Sequence, residues 1–127
     1  MRLATHRPPG HVLTDHAFTV PVDHDRPGGE TLTVFAREVV APTREHDTLP
    51  WLLYLQGGPG MESPRPLARE TETWLGRALA DWRVLLLDQR GTGRSTPATA
   101  STLAAMSSAQ EQADYLAHFR ADSIVRD

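Results

Sequence analysis

The chain predicts a mixed α/β fold, the opening part of a mostly parallel sheet with helical cover, on three features. Two alternating stretches flank a glycine-bearing turn, two continuous apolar runs follow, and the segment between those runs has helical spacing.

Residues 1–14 are rich in Pro, Gly and His and are expected to form a flexible lead-in, with the folded domain spanning 15–127. From His16 to Val22 the pattern alternates, with Phe18, Val20 and Val22 on one face. Glu30 to Val40 alternates again, Leu32, Val34 and Ala36 opposing Thr33, Phe35 and Arg37. Asp25-Arg26-Pro27-Gly28-Gly29 lies between them, so the pair reads as an antiparallel hairpin. Ala41 to Pro50 is polar and carries Pro near both ends, hence a loop.

Trp51–Leu55 and Arg83–Leu87 are the two apolar runs. Strands apolar on both faces belong inside a parallel sheet covered by helices. Leu67, Thr71, Trp74, Leu75, Ala78 and Trp82 recur at three- and four-residue spacing, which predicts a helix over roughly 66–81. Pro64 and Pro66 fall where a first turn tolerates them. The whole is one right-handed βαβ unit. A loop is expected from Asp88 to about Thr102. Ser108 and Glu111 then form a capping box that opens a helix carrying Tyr115, Leu116 and Phe119, and Asp122 is placed to cap another.

Composition removes several function classes. A net charge of -3 argues against nucleic-acid binding, which normally shows a basic excess. The absence of Cys excludes thiolate metal sites and cysteine nucleophiles. The six histidines are scattered and expected to be exposed or half-exposed, without the spacing of a metal site, so no metal and no cofactor is expected. Met1 to Val12 has no apolar run of the ~7–15 residues a secretory signal needs, and no segment approaches the ~20 of a membrane span, so a soluble, cytoplasmic protein without membrane contact is expected. A phosphate-binding P-loop needs a Lys, and the chain has none.

Two loops carry the chemistry. Gln56-Gly57-Gly58-Pro59-Gly60 follows the first apolar run, and glycines there let the backbone approach a ligand closely. Asp88-Gln89-Arg90-Gly91-Thr92-Gly93-Arg94-Ser95 follows the second, at the same sheet end, where ligands of open α/β sheets bind. Asp88 and Arg90 are expected to pair and Arg94 to find a carboxylate elsewhere, pinning the loop.

Together, LQGGPG and DQRGTGRS closely resemble the prolyl aminopeptidase (proline iminopeptidase) family of α/β-hydrolase serine peptidases, in which they usually read HGGPG and DQRG-x-GRS. The hairpin VPVDHD and the tail from Phe119 to Asp127 also look like that family, so the resemblance runs from about Phe18 onward. Gln56 stands where the family often has His. The resemblance implies release of an N-terminal residue, commonly proline, from a peptide with a free N-terminus. It also implies that an amide of Gly57 or Gly58 serves the oxyanion hole. Gln56, Pro59, Gly60, Asp88, Gln89, Arg90, Gly91, Gly93 and Arg94 are implied as structural support near the site. It gives no oligomeric state.

The hydrolase order Ser, acid, His begins at a G-x-S-x-G elbow. Ser95 is a half match, with Pro97 where the second Gly should stand. The chain is therefore expected to be the N-terminal portion of the enzyme, ending before its nucleophile and cap domain and inactive alone. Alternatives are another hydrolase on the same scaffold, of esterase or epoxide-opening type, or a non-catalytic remnant that only binds a partner. Gly91-Thr92-Gly93 as a dinucleotide loop fails at Thr96, where the third glycine is missing.

Overall fold

Backbone pairing along the alternating segments builds an antiparallel meander at one side of the sheet. The computed structural model describes residues 1–57, 60–67 and 73–127. Arg2–His6 (β1), Val12–Pro21 (β2) and Thr31–Val40 (β3) run antiparallel in succession. The β2–β3 register is unbroken from Val12 opposite Val40 to Pro21 opposite Thr31, and turns at Arg26 and Gly29 close the expected hairpin.

The first fourteen residues hold more regular structure than their composition suggested, since they contain β1 and the start of β2. No burial period marks β1, because it is held by its backbone. The Met1 amine donates to the Ala17 carbonyl and the Ala17 amide returns to the Met1 carbonyl at 2.8 Å.

Trp51–Leu55 (β4) and Arg83–Asp88 (β5) are parallel neighbours, Leu53 opposite Leu85, as the two apolar runs predict. The sheet order is β1-β2-β3-β5-β4, so β5 lies inside, antiparallel to β3. β4 differs from expectation: among the described residues it is an edge strand, with Trp51, Leu53 and Leu55 exposed at 55%, 52% and 42%. An apolar run states what a strand can bury, not which neighbours it finds.

The crossover helix is shorter than predicted. Among the described residues it covers Trp74–Ala78 (α1), capped by the Thr73 hydroxyl; residues 61–67 are not helical, and 68–72 lie outside the described residues. Pro64 and Pro66 instead stand in an irregular approach whose Ser63 and Pro66 are buried.

Period-2 alternation in β5 feeds two cores. Val84 and Leu86 join Leu13, Val39, Leu75 and Leu79 beneath α1, with Leu52 and Tyr54 packed alongside. Leu87 joins Val20, Val22, Leu32, Val34 and Ala36 on the opposite face, partly covered by Phe119.

Thr99 caps Ala100–Ala104 (α2), a helix that overlaps the end of the stretch expected as loop. Ser108 caps Ala109–Ala117 (α3) as predicted, accepting from the Glu111 amide. The Glu111 carboxylate takes the Ser107 amide and hydroxyl at 2.8 and 2.6 Å, one residue earlier than a capping box requires. Ala121–Arg126 (α4) begins after Arg120, so Asp122 is not its cap but lies in its first turn, where a negative charge suits the helix dipole. Among the described residues no helix is long and apolar enough to cross a membrane.

Candidate functional site

Because β4 and β5 are parallel, with Leu55 opposite Leu87, the loops after them emerge at the same end of the sheet. The first loop begins at Gln56. Its side-chain oxygen accepts from the Tyr54 hydroxyl at 2.7 Å, and Tyr54 stacks on Trp74 of α1 with ring centroids 4.6 Å apart. Its carbonyl accepts from Gln89 Nε2 at 3.1 Å, which joins the two loops directly. Gly57 is exposed, and among the described residues a Cβ there would meet nothing within 4 Å. Gly58 and Pro59 lie outside the described residues. Gly60 adopts φ +110°, a conformation side chains rarely take, and the chain turns there.

The second loop is organised by Asp88, whose side chain is wholly buried. Its carboxylate accepts from the Ser63 amide at 2.9 Å, the Arg94 amide at 3.0 Å and Arg65 at 2.6 and 3.1 Å, the paired geometry that makes arginine–carboxylate contacts strong. The partner is thus Arg65 and not the expected Arg90. Asp88 ends the strand facing residues 63–65, and the turn at Arg90 sends that side chain to another part of the molecule. At Gly93 (φ +51°) a Cβ would lie 2.3 Å from Asp88 Oδ2, so only glycine fits the close approach.

Arg90 is fully buried. It donates to the carbonyls of Pro21, Val22 and His118 at 3.0, 2.9 and 2.8 Å and pairs with Asp127 through Nε at 2.8 Å and through its terminal nitrogen. It thereby ties the β2–β3 connection to the ends of α3 and α4. Gly91 (φ +83°) lets Phe119 approach, since a Cβ would sit 2.6 Å from its ring.

Arg94 does find a distant carboxylate, Asp15, at 2.9 Å; Arg37 holds the same group at 2.7 and 3.1 Å. Burial pushes the Asp15 carboxyl up, but the hydrogen bonds and charges of Arg37 and Arg94 outweigh it and hold the group below the ordinary carboxylate range. The Phe35 ring lies under the guanidinium groups of Arg94, Arg65 and Arg37 at 4.0, 5.3 and 5.8 Å.

Ser95 is buried, donates from Oγ to the Asp88 carbonyl at 2.5 Å and accepts from the Phe35 amide at 2.7 Å. A hydroxyl so placed joins β3 to β5 and presents nothing to a substrate. Five histidines are exposed or half-exposed as expected and His11 departs, being buried with Nδ1 unpartnered among the described residues; the half-buried His24 has Nε2 2.9 Å from Arg90 and 3.0 Å from Asp127. Asp15, Ser63, Arg65 and Tyr54 were missed by sequence reasoning. Only Arg65, set between Pro64 and Pro66, carried even a faint local signal.

No family model matches the chain. It is 60% identical over 113 residues to a protein named proline iminopeptidase from Aeromonas sobria, an alignment that covers 88% of this chain and 26% of that protein. It is 46% identical over 126 residues to a protein of the same name from Aspergillus aculeatus, covering 97% of this chain and 28% of that protein. The chain spans about a quarter of the length of the curated relatives it matches.

Proposed function

We propose that this chain, homologous over most of its length to those peptidases, is the N-terminal, oxyanion-hole portion of a serine aminopeptidase that releases proline from peptides with a free N-terminus. The observation that carries the reading is the meeting of the two motif loops at the carboxyl ends of adjacent parallel strands, joined by Gln89 to Gln56. Gly57 or its neighbour Gly58 supplies an amide to the oxyanion; in support, Gly57 is exposed and no described residue would meet a Cβ there within 4 Å. Pro59 and Gly60 shape that loop. Asp88, Gln89, Arg90, Gly91, Gly93 and Arg94 support it.

In the reaction a serine oxygen supplied from outside these 127 residues attacks the carbonyl of the N-terminal residue. Negative charge moves onto the carbonyl oxygen, and the amide donor stabilises it there. The charge returns as the C–N bond breaks and the amine leaves with the proton that the serine hydroxyl gave up, and water then adds to the acyl-serine, releasing the acid and restoring the hydroxyl. A donor of this kind contributes about 100–1000-fold in rate.

The test is hydrolysis of a proline-linked chromogenic amide. The product of the complete reading frame should cleave it and be blocked by a serine-directed phosphonate. The 127-residue chain alone should not cleave it, because a donor with no developing charge to stabilise gives no acceleration. Turnover by this chain alone that disappears on Ser95→Ala would overturn the proposal. So would a full product that cleaves esters but no aminoacyl amide.

A further inference from the structure

We infer that Gln89 is a positioning residue that aims the Gly57 amide by holding the carbonyl on the other side of the same peptide unit; the inference rests on the oxyanion-hole reading above. A peptide group is planar and trans, so the Gln56 carbonyl and the Gly57 N–H point in opposite directions from one rigid plate. Fixing the carbonyl therefore fixes where the N–H points. Gln89 Nε2 donates to that carbonyl at 3.1 Å. Gly57 has no side chain to bias its backbone, and among the described residues a Cβ there would meet nothing within 4 Å, so no described neighbour packs there to set the plate.

The anchor is itself fixed. The Gln89 carbonyl accepts from the Thr92 amide at 3.0 Å and the Thr92 hydroxyl at 2.8 Å. The neighbouring Asp88 carboxylate holds Ser63 and Arg65 on the far side of the same loop. Two consecutive residues at the end of β5 thus grip the glycine loop where it starts and where it finishes. On the Gln56 side, Tyr54 holds the side chain at 2.7 Å and leaves the carbonyl to Gln89. A hydrogen bond accepted by a peptide carbonyl also polarises its N–H, strengthening it by roughly 10–30% in condensed-phase estimates. Gln89 therefore contributes aim and donor strength, both of which matter when charge appears on the substrate oxygen.

The experiment compares wild type, Gln89→Met and Gln89→Glu in the product of the complete reading frame. Both variants keep the approximate length of Gln and remove the donor. We expect kcat on the proline amide to fall about 10-fold, less than the ~100–1000-fold for losing an oxyanion donor outright, with KM within about twofold. Affinity for a proline boronate, which presents a tetrahedral oxyanion, should fall by the same factor, and affinity for free proline should hold. In amide NMR the Gly57 resonance should shift and broaden while that of Ser63, held by Asp88, stays in place. An unchanged kcat and boronate affinity would overturn the inference, as would equal losses for boronate and proline, which mark a general loss of the pocket. If the wild-type protein fails to cleave the amide, the aminopeptidase reading falls. The Gly57 resonance then decides the positioning claim alone, and a resonance unmoved in both variants refutes it.

Discussion

Single carboxylates decide whether the candidate site holds its shape. Asp88 is buried and satisfies two backbone amides and one arginine, so Asp88→Ala strands Arg65 and leaves the Ser63 and Arg94 amides without their acceptor. Arg65 is partly exposed, so the main cost is the amides left without an acceptor, about 1–3 kcal/mol for each one buried, and the midpoint of urea unfolding should fall accordingly. Gly93→Ala should destabilise through the same group, since the new Cβ would sit 2.3 Å from its oxygen. Asp15 makes a pH prediction. Its folded pKa is lowered, so its stabilisation is complete above the unfolded value near pH ~4 and is lost as pH falls through the folded value. Stability measured by urea unfolding between pH 6 and pH 3 should decline, and Asp15→Asn should flatten that decline; an equally steep slope in the variant would exclude Asp15 as a contributor. These carboxylate partners were not legible in the sequence, because Asp15 and Arg94 lie 79 residues apart and only folding brings them together.

The element with the most consequence is β4. Its alternate residues Leu52 and Tyr54 pack against the core under α1, while Trp51, Leu53 and Leu55 are exposed on an edge strand. Exposed apolar edges template association. At about 25 cal/mol per Å² of apolar surface left in water, three such side chains press the chain toward self-association or a loosened state. Replacing Trp51, Leu53 and Leu55 with Thr should raise the soluble fraction and lower light scattering, with β-structure retained by circular dichroism. Scattering unchanged by the triple substitution would locate the tendency elsewhere. The capping signals were legible at this scale: Ser108 starts α3 where local chemistry placed it. The start of the crossover helix was not, because Pro64 and Pro66 suit an irregular approach as well as a first turn.

Across the whole molecule, Ser95 separates scaffold from chemistry. Its hydroxyl joins the Phe35 amide to the Asp88 carbonyl, so Ser95→Ala should lower the thermal midpoint and leave kcat of the complete product nearly intact. A large kcat loss at unchanged stability would contradict its assignment as scaffold. The sequence by itself determined the hairpin, the parallel pairing of the two apolar runs, the two glycine loops at one sheet end and the likeness to proline-releasing peptidases. All of these follow from local periodicity, turn chemistry and contiguous motifs. Tertiary structure alone decided that β5 is interior and β4 an edge, that Asp88 pairs with Arg65 while Arg90 reaches Asp127, and that Gln89 grips Gln56. The physical reason is that an ion pair or an edge depends on which distant segments folding makes neighbours, and a residue's type records only what it is able to bond.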